Sequence, residues 1–163
     1  MSSVVIRPAE TGDGAALYRA WQTLRQHNSK LDSRIIPAPV SEAEFLAGLR
    51  ESIRRPTATA LVAESDGKVL GFLSAAVEAG QPDRLPEQHA TIGYLFVDPK
   101  ARRRGVARGL YEAACRWAKE QDGVGHMEMA VLDNDKEACL FWTAMGFRPF
   151  IQRVWAPLDD GSE

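Results

Sequence analysis

A chain of 163 residues, 45% of them hydrophobic, is long enough to bury one substantial core and too short to divide into two comfortable ones, so a single domain over residues 1–163 is expected. The formal net charge of −2 argues against a surface built for nucleic acid or an anionic membrane. The two cysteines, Cys115 and Cys139, have no metal-ligand spacing and suit a reduced compartment, and neither an apolar signal core before Arg7-Pro8 nor a membrane-spanning run is present; a soluble cytoplasmic protein without a resident metal is expected.

Val4-Val5-Ile6 reads as a first strand ended by Arg7-Pro8, and Asp13 as the cap of a helix whose apolar stripe is Leu17, Ala20, Trp21 and Leu24. Asn28 to Val40 reads as a loop. Ser41 with Glu44 forms a capping box for a second helix, with Phe45, Leu49 and Ile53 inward and Pro56 after its end. The strands Thr59–Ala63 and Val69–Leu73 flank Ser65-Asp66-Gly67-Lys68, whose Asp-Gly pair predicts a hairpin. Past a loop marked by Gly80, Pro82 and Pro86, the strand Thr91–Val97 is apolar on both faces, as expected for the middle of a sheet covered by helices. A helix from about Gly105 buries Ala107, Leu110, Tyr111, Ala114 and Ala118 and stops before Gly123. His126–Leu132 then alternates as a strand, making a right-handed parallel crossover. Ala138, Phe141, Trp142 and Met145 fall at helical spacing with Gly146 as the stop. Phe147 to Trp155 reads as a closing strand with Pro149 at its start or edge, and Asp159 to Glu163 as a loose tail. The expected order is βααβββαβαβ.

The densest local information lies between Leu95 and Leu110, where an apolar run, a proline stop, a basic glycine turn and an amphipathic helix follow without a spare residue. Arg102, Arg103 and Arg104 at a helix start repel one another and the positive end of the helix dipole, an arrangement that an anion would relieve. Gly105 lets backbone N–H groups approach such a ligand, and Ala107 keeps the first helical turn bare. From these residues alone, an ordinary solvated basic turn is the competing reading.

Val97-Asp98-Pro99 followed by Arg102-Arg103-Arg104-Gly105-Val106-Ala107 resembles the acetyl-CoA signature of the GNAT N-acetyltransferase superfamily: Arg or Gln, two residues, Gly, one residue, Gly or Ala. Ala138, Phe141-Trp142 and Gly146-Phe147 resemble the family's last helix and the strand after it, so the likeness runs over nearly the whole chain. The resemblance implies a mixed α/β (α+β) fold. Its central sheet would be mainly antiparallel, with helices on both faces and a V-shaped splay between the fourth and fifth strands. It also implies acetyl-CoA as cosubstrate. Pantetheine would lie as an extra strand along Leu95, Phe96 and Val97. Arg102 would open the signature, the amides from Arg103 through Arg104, Gly105, Val106 and Ala107 would face the pyrophosphate, and Arg108 would add a phosphate contact. Ala138 and Phe141 would border the cofactor. The family's pantetheine-holding Asn falls on Asp135 or, one residue earlier, Asn134. Its usual acid, a Tyr, falls on Trp142, whose indole N–H is no comparable proton donor.

The resemblance further implies direct attack of a primary amine, on a small molecule or a peptide, by a monomer or homodimer. A thiol leaving group of pKa about 8.5 departs tolerably without help, and a positioned acid adds roughly 10²–10⁴-fold. Neutralising a lysine-like amine of pKa about 10.4 costs on the order of 4–5 kcal/mol at pH 7, so a base matters more. Phe96 or Val97 offers an oxyanion amide. Glu128 and His89 are the candidate bases, and Tyr94 is a candidate base or acid. Asp32, Glu78 and Asp83 are candidates for attracting a cationic acceptor. A noncatalytic acetyl-CoA-binding module is the alternative; a nucleotide binder lacks the glycine pattern of a P-loop or dinucleotide fold.

Overall fold

The computed structural model describes residues 2–158; the tail expected from Asp159 lies outside the described residues. Five strands, β1 (Val5–Pro8), β2 (Ala58–Ser65), β3 (Lys68–Ala79), β4 (Gln88–Val97) and β5 (Val124–Met129), form one sheet in sequential order. All neighbours are antiparallel except β4 and β5, which run parallel across the crossover helix α3 (Val106–Lys119). The other helices are α1 (Gly14–Leu31), α2 (Glu42–Arg54) and α4 (Lys136–Ala144). No helix among the described residues is long and apolar enough to cross a membrane.

Local chemistry accounts for the element ends. The Ser41 hydroxyl accepts from the Glu44 N–H at 3.2 Å while the Glu44 carboxylate accepts from the Ser41 N–H at 2.7 Å, the reciprocal box that starts α2. Asp66 and Gly67 both have positive φ, 51° and 72°, as a two-residue hairpin turn requires between Ser65 and Lys68. Pro8 ends β1, as expected, on an edge strand where its missing N–H goes unneeded. Asp13 sits at the N-cap of α1 without a capping bond; its carboxylate is clamped by Arg7 at 2.8 Å instead. The α1 helix runs on to Leu31, so the loop expected from Asn28 begins only at Asp32. Likewise β4 starts at Gln88, and β5 is shifted from 126–132 to Val124–Met129.

Alternation along the sheet buries both faces. Leu61, Ala63, Leu73, Ala75 and Ile92 pack with Leu110, Ala114 and Trp142 from α3 and α4, whereas Ala60, Val62 and Phe72 pack with Leu17, Trp21 and Leu49 from α1 and α2. Two expectations fail. The middle strand is β3, because β4 has only β5 beyond it. The closing strand is absent: residues 147–158 contain no strand, since alternation becomes a strand only where a neighbour supplies ladder bonds. Pro149 has no N–H to give, and the Arg148 guanidinium bonds the Thr143 and Phe147 carbonyls locally. Phe150, Ile151, Val154, Trp155 and Leu158 are consequently exposed, with the Arg34 guanidinium 5.4 Å from the Trp155 ring centre.

Candidate active site

The ladder between β4 and β5 stops at Ile92 and Met129, yet β4 continues to Val97 on its β3 side. The sheet therefore splays there, leaving one edge of β4 unpaired. A bulge at Gly93, where Ala75 faces Ile92 and Ser74 faces Tyr94, re-aims the side chains beyond it. Leu95 and Val97 pack on the α3 side with Ile92, while Tyr94 and Phe96 turn toward α1, Tyr94 lying edge-on to Trp21 at 6.2 Å.

The Asp98 N–H donates to the Leu70 carbonyl at 2.8 Å, which sets the alternation of the strand. Phe96 and Tyr94 consequently direct their backbone groups at β3, whereas those of Leu95 and Val97 face the splay. Arg102 agrees with that phase, its Nε reaching the Val97 carbonyl at 3.5 Å. Of the two expected oxyanion donors, only Val97 points the right way; the Phe96 amide is turned to β3. Gly71 makes the close approach possible, because a Cβ there would stand 2.6 Å from the Phe96 carbonyl oxygen.

The chain leaves β4 through a tight turn. Asp98 accepts from the Lys100 N–H at 2.8 Å, a single 3₁₀ turn covers Pro99–Ala101, and Ala101 is buried as its anchor. Arg103 and Gly105 follow with positive φ, 60° and 76°, a curl that gathers successive N–H groups on one side. Gly105 is the N-cap of α3 and offers no side chain to cap it, so the first N–H groups of the helix, those of Val106, Ala107 and Arg108, remain for a ligand. A Cβ at Gly105 would meet nothing within 4 Å, so its space opens on solvent. Among the described residues Arg103, Arg104 and Arg108 have no ion-pair partner, while Arg102 lies 3.4 Å from Glu137 of α4.

The start of α4 closes the far wall. Asp135 is its N-cap, accepting from the Ala138 N–H at 3.1 Å, and its second oxygen meets His27 Nε2 of α1 at 3.1 Å. Asn134 donates its side-chain N–H to the Leu31 carbonyl. Asp135 is thus engaged on both oxygens, and of the two candidates for holding pantetheine only Asn134 keeps an unengaged side-chain oxygen. Ala138 and Phe141 are half-buried beside the α3-side core. Trp142 is 5% exposed, its ring 4.9 Å from Phe141, 5.1 Å from Phe147 and 5.8 Å from Tyr111. It fills core at the position where the family resemblance places an acid. Burial, and then the hydrogen bond to Cys115, push the Tyr111 phenol up to about 12, which makes it a poor donor as well.

The titratable candidates divide. Tyr94, 42% exposed, stands alone at the bulge. His89 and Glu128 come together on the α1/α2 side of the sheet, with His89 Nε2 3.5 Å from the carboxylate. His126, missed from sequence, joins them, its Nε2 2.8 Å from Glu128; the available signal was its i, i+2 spacing from Glu128 on an alternating strand. Glu78 shares this face and accepts from the Thr91 hydroxyl at 3.1 Å. Asp32 is held near 2 by the hydrogen-bonded Arg34 guanidinium, and Asp83 lies 3.7 Å from Arg84; both carry their own counterion. A concavity of about 720 Å³ between α1 and the Pro37–Ser41 loop has no β4 or β5 residue in its wall.

Residues 20–147 match the acetyltransferase (GNAT) family. Over 124 residues the chain is 31% identical to an aminoglycoside N(6')-acetyltransferase type 1 of Klebsiella aerogenes, covering 72% of each. A tetramutant of a Bacillus halodurans protein superposes with a TM-score of 0.80 at 22% identity, covering 94% of this chain and 99% of that one. The aminoglycoside acetyltransferase AAC(6')-Iy, solved with the bisubstrate analog CoA-S-monomethyl-acetylneamine, superposes with a TM-score of 0.73 at 22% identity, covering 96% and 99%.

Proposed function

The chain belongs to the acetyltransferase (GNAT) family and is an acetyl-CoA-dependent acyltransferase, and on that premise we propose that it acetylates a primary amine of a small polycationic molecule, of the aminoglycoside class, by direct attack in a ternary complex. One observation carries the reading: the unpaired edge of β4 at Leu95 and Val97 runs straight into an uncapped, arginine-flanked helix start. A thioester with a long amide-bearing arm and a pyrophosphate matches both in sequence, the arm as an added strand and the phosphates on the amides from Arg103 to Ala107.

The acceptor comes from the α1/α2 side, where Glu78 and Glu128 supply negative charge to a cation. Its nitrogen attacks the thioester carbonyl, the Leu95 N–H, which like that of Val97 faces the splay and lies nearer Glu128, holds the oxyanion, the C–S bond breaks and the thiolate leaves. Glu128 takes a proton from the cationic amine before the attack, so that the nitrogen arrives with a free lone pair; on collapse the nitrogen gives up a second proton while Tyr94 protonates the thiolate. The amine-acceptor class is supported by the activity named for the Klebsiella relative. Release of free thiol from acetyl-CoA, measured across aminoglycosides, polyamines and lysine peptides, tests it. Fast turnover is expected with aminoglycosides, and turnover confined to peptides would overturn the acceptor class. A melting temperature unmoved by millimolar acetyl-CoA would remove the cofactor assignment itself.

A further inference from the structure

Among the described residues, one cluster brings metal-binding side chains together: His89 of β4 with His126 and Glu128 of β5, whose ligand atoms all lie within 4.8 Å of one another. A register shift creates it. Gln88 pairs with Val124 but Ala90 pairs with Met127, so β5 carries one residue more than β4 between those points. In an unbroken register His126 would lie beside Ala90 and face the α3-side core. The extra residue turns both His126 and Glu128 to the face that carries His89.

We propose that His89, His126 and Glu128 form a binding site for a divalent transition-metal ion of the zinc class. Both imidazoles present Nε2 to the same carboxylate, at 3.5 Å for His89 and 2.8 Å for His126. The rings stack at 5.4 Å between centres and 16° between planes, so their nitrogens are carried side by side. With metal bonds of about 2.0–2.1 Å, ligand atoms at a tetrahedral ion sit roughly 3.3–3.4 Å apart, between the two separations present. Two imidazoles with one carboxylate favour zinc, cobalt or nickel over the oxygen-seeking magnesium and calcium. Glu78, paired across from His89 on β3, adds a second carboxylate to this face. The cysteine spacing on which the expectation of no metal rested could not register this set, since its members come from two strands.

Binding is tested without turnover, so it stands apart from the transferase reading. Titrating the full chain with Co²⁺ should give a saturable, one-to-one visible absorption typical of low-coordinate cobalt, which Zn²⁺ bleaches by displacement and Mg²⁺ leaves unchanged. His89→Ala and His126→Ala should each weaken Co²⁺ binding by at least tenfold, as checked by calorimetry on variants whose circular dichroism matches the parent. His27→Ala, altering the histidine between α1 and α4, should bind Co²⁺ like the parent. No saturable binding, or parental affinity in both cluster variants, would overturn the site. Should Zn²⁺ bind one-to-one and leave acetyl transfer unaffected, the metal site would stand and the base role of Glu128 would fall.

Discussion

Replacing Gly105 separates what the turn does for the fold from what it does for the ligand. Its φ of 76° lies in the left-handed region, where any Cβ costs about 1–2 kcal/mol. A Cβ there meets no protein atom within 4 Å, so no packing penalty is added. At about 2–4 °C per kcal/mol for a chain of this size, Gly105→Ala and Gly105→Glu should both melt about 2–8 °C lower. Binding should separate them. A hydrogen bond to a charged partner is worth about 1.5–3 kcal/mol, so displacing the phosphates from two amides weakens binding by about 3–6 kcal/mol, or roughly 10²–10⁴-fold. Gly105→Glu adds a carboxylate to that space and should show the full loss, while Gly105→Ala should lose about tenfold or less. Calorimetric titration with acetyl-CoA, beside thermal melts without ligand, measures both effects. Equal acetyl-CoA affinities for the two variants would refute the idea that this turn receives an anion.

Gly71→Ala should destabilise by about 1–3 kcal/mol in a thermal melt, because its Cβ would stand 2.6 Å from the Phe96 carbonyl oxygen and push β4 off β3. Glu128→Gln should lower kcat by roughly 10²–10⁴-fold with little change in the KM for acetyl-CoA, read from initial rates of thiol release. Trp142→Ala should cost about 3–5 kcal/mol in denaturant unfolding, as expected for emptying an aromatic site enclosed by Tyr111, Phe141 and Phe147. The Arg7 guanidinium, by its hydrogen bond above all, holds the Asp13 carboxyl below its ordinary range. The stability this contributes is complete above the ordinary carboxylate pKa of about 3.9 and is lost as the pH falls through the lower folded value. Arg7→Ala should therefore flatten the acid limb of a stability profile followed by circular dichroism.

Features legible in the amino-acid sequence by itself are those whose physics closes within a few residues. Ser41 and Glu44 cap one another across three positions, Asp66-Gly67 supplies the two positive φ values its hairpin demands, and the Arg102–Ala107 run writes an uncapped helix start directly into the chain. The half of the site that we assign to the cofactor is of this kind, as one continuous segment from Leu95 to Arg108 would build most of it. Everything that depends on which strand lies beside which was decided by the tertiary structure. Whether Phe96 or Val97 faces the splay follows from the phase of the β3 pairing and the bulge at Gly93, neither of which has a side-chain signature. The grouping of His89, His126 and Glu128 hangs on one extra residue in the register of β5. Residues 147–155 alternate like a strand yet form none, because a strand needs a neighbour whose N–H and C=O groups are free at the right spacing, and periodicity carries no information about that neighbour.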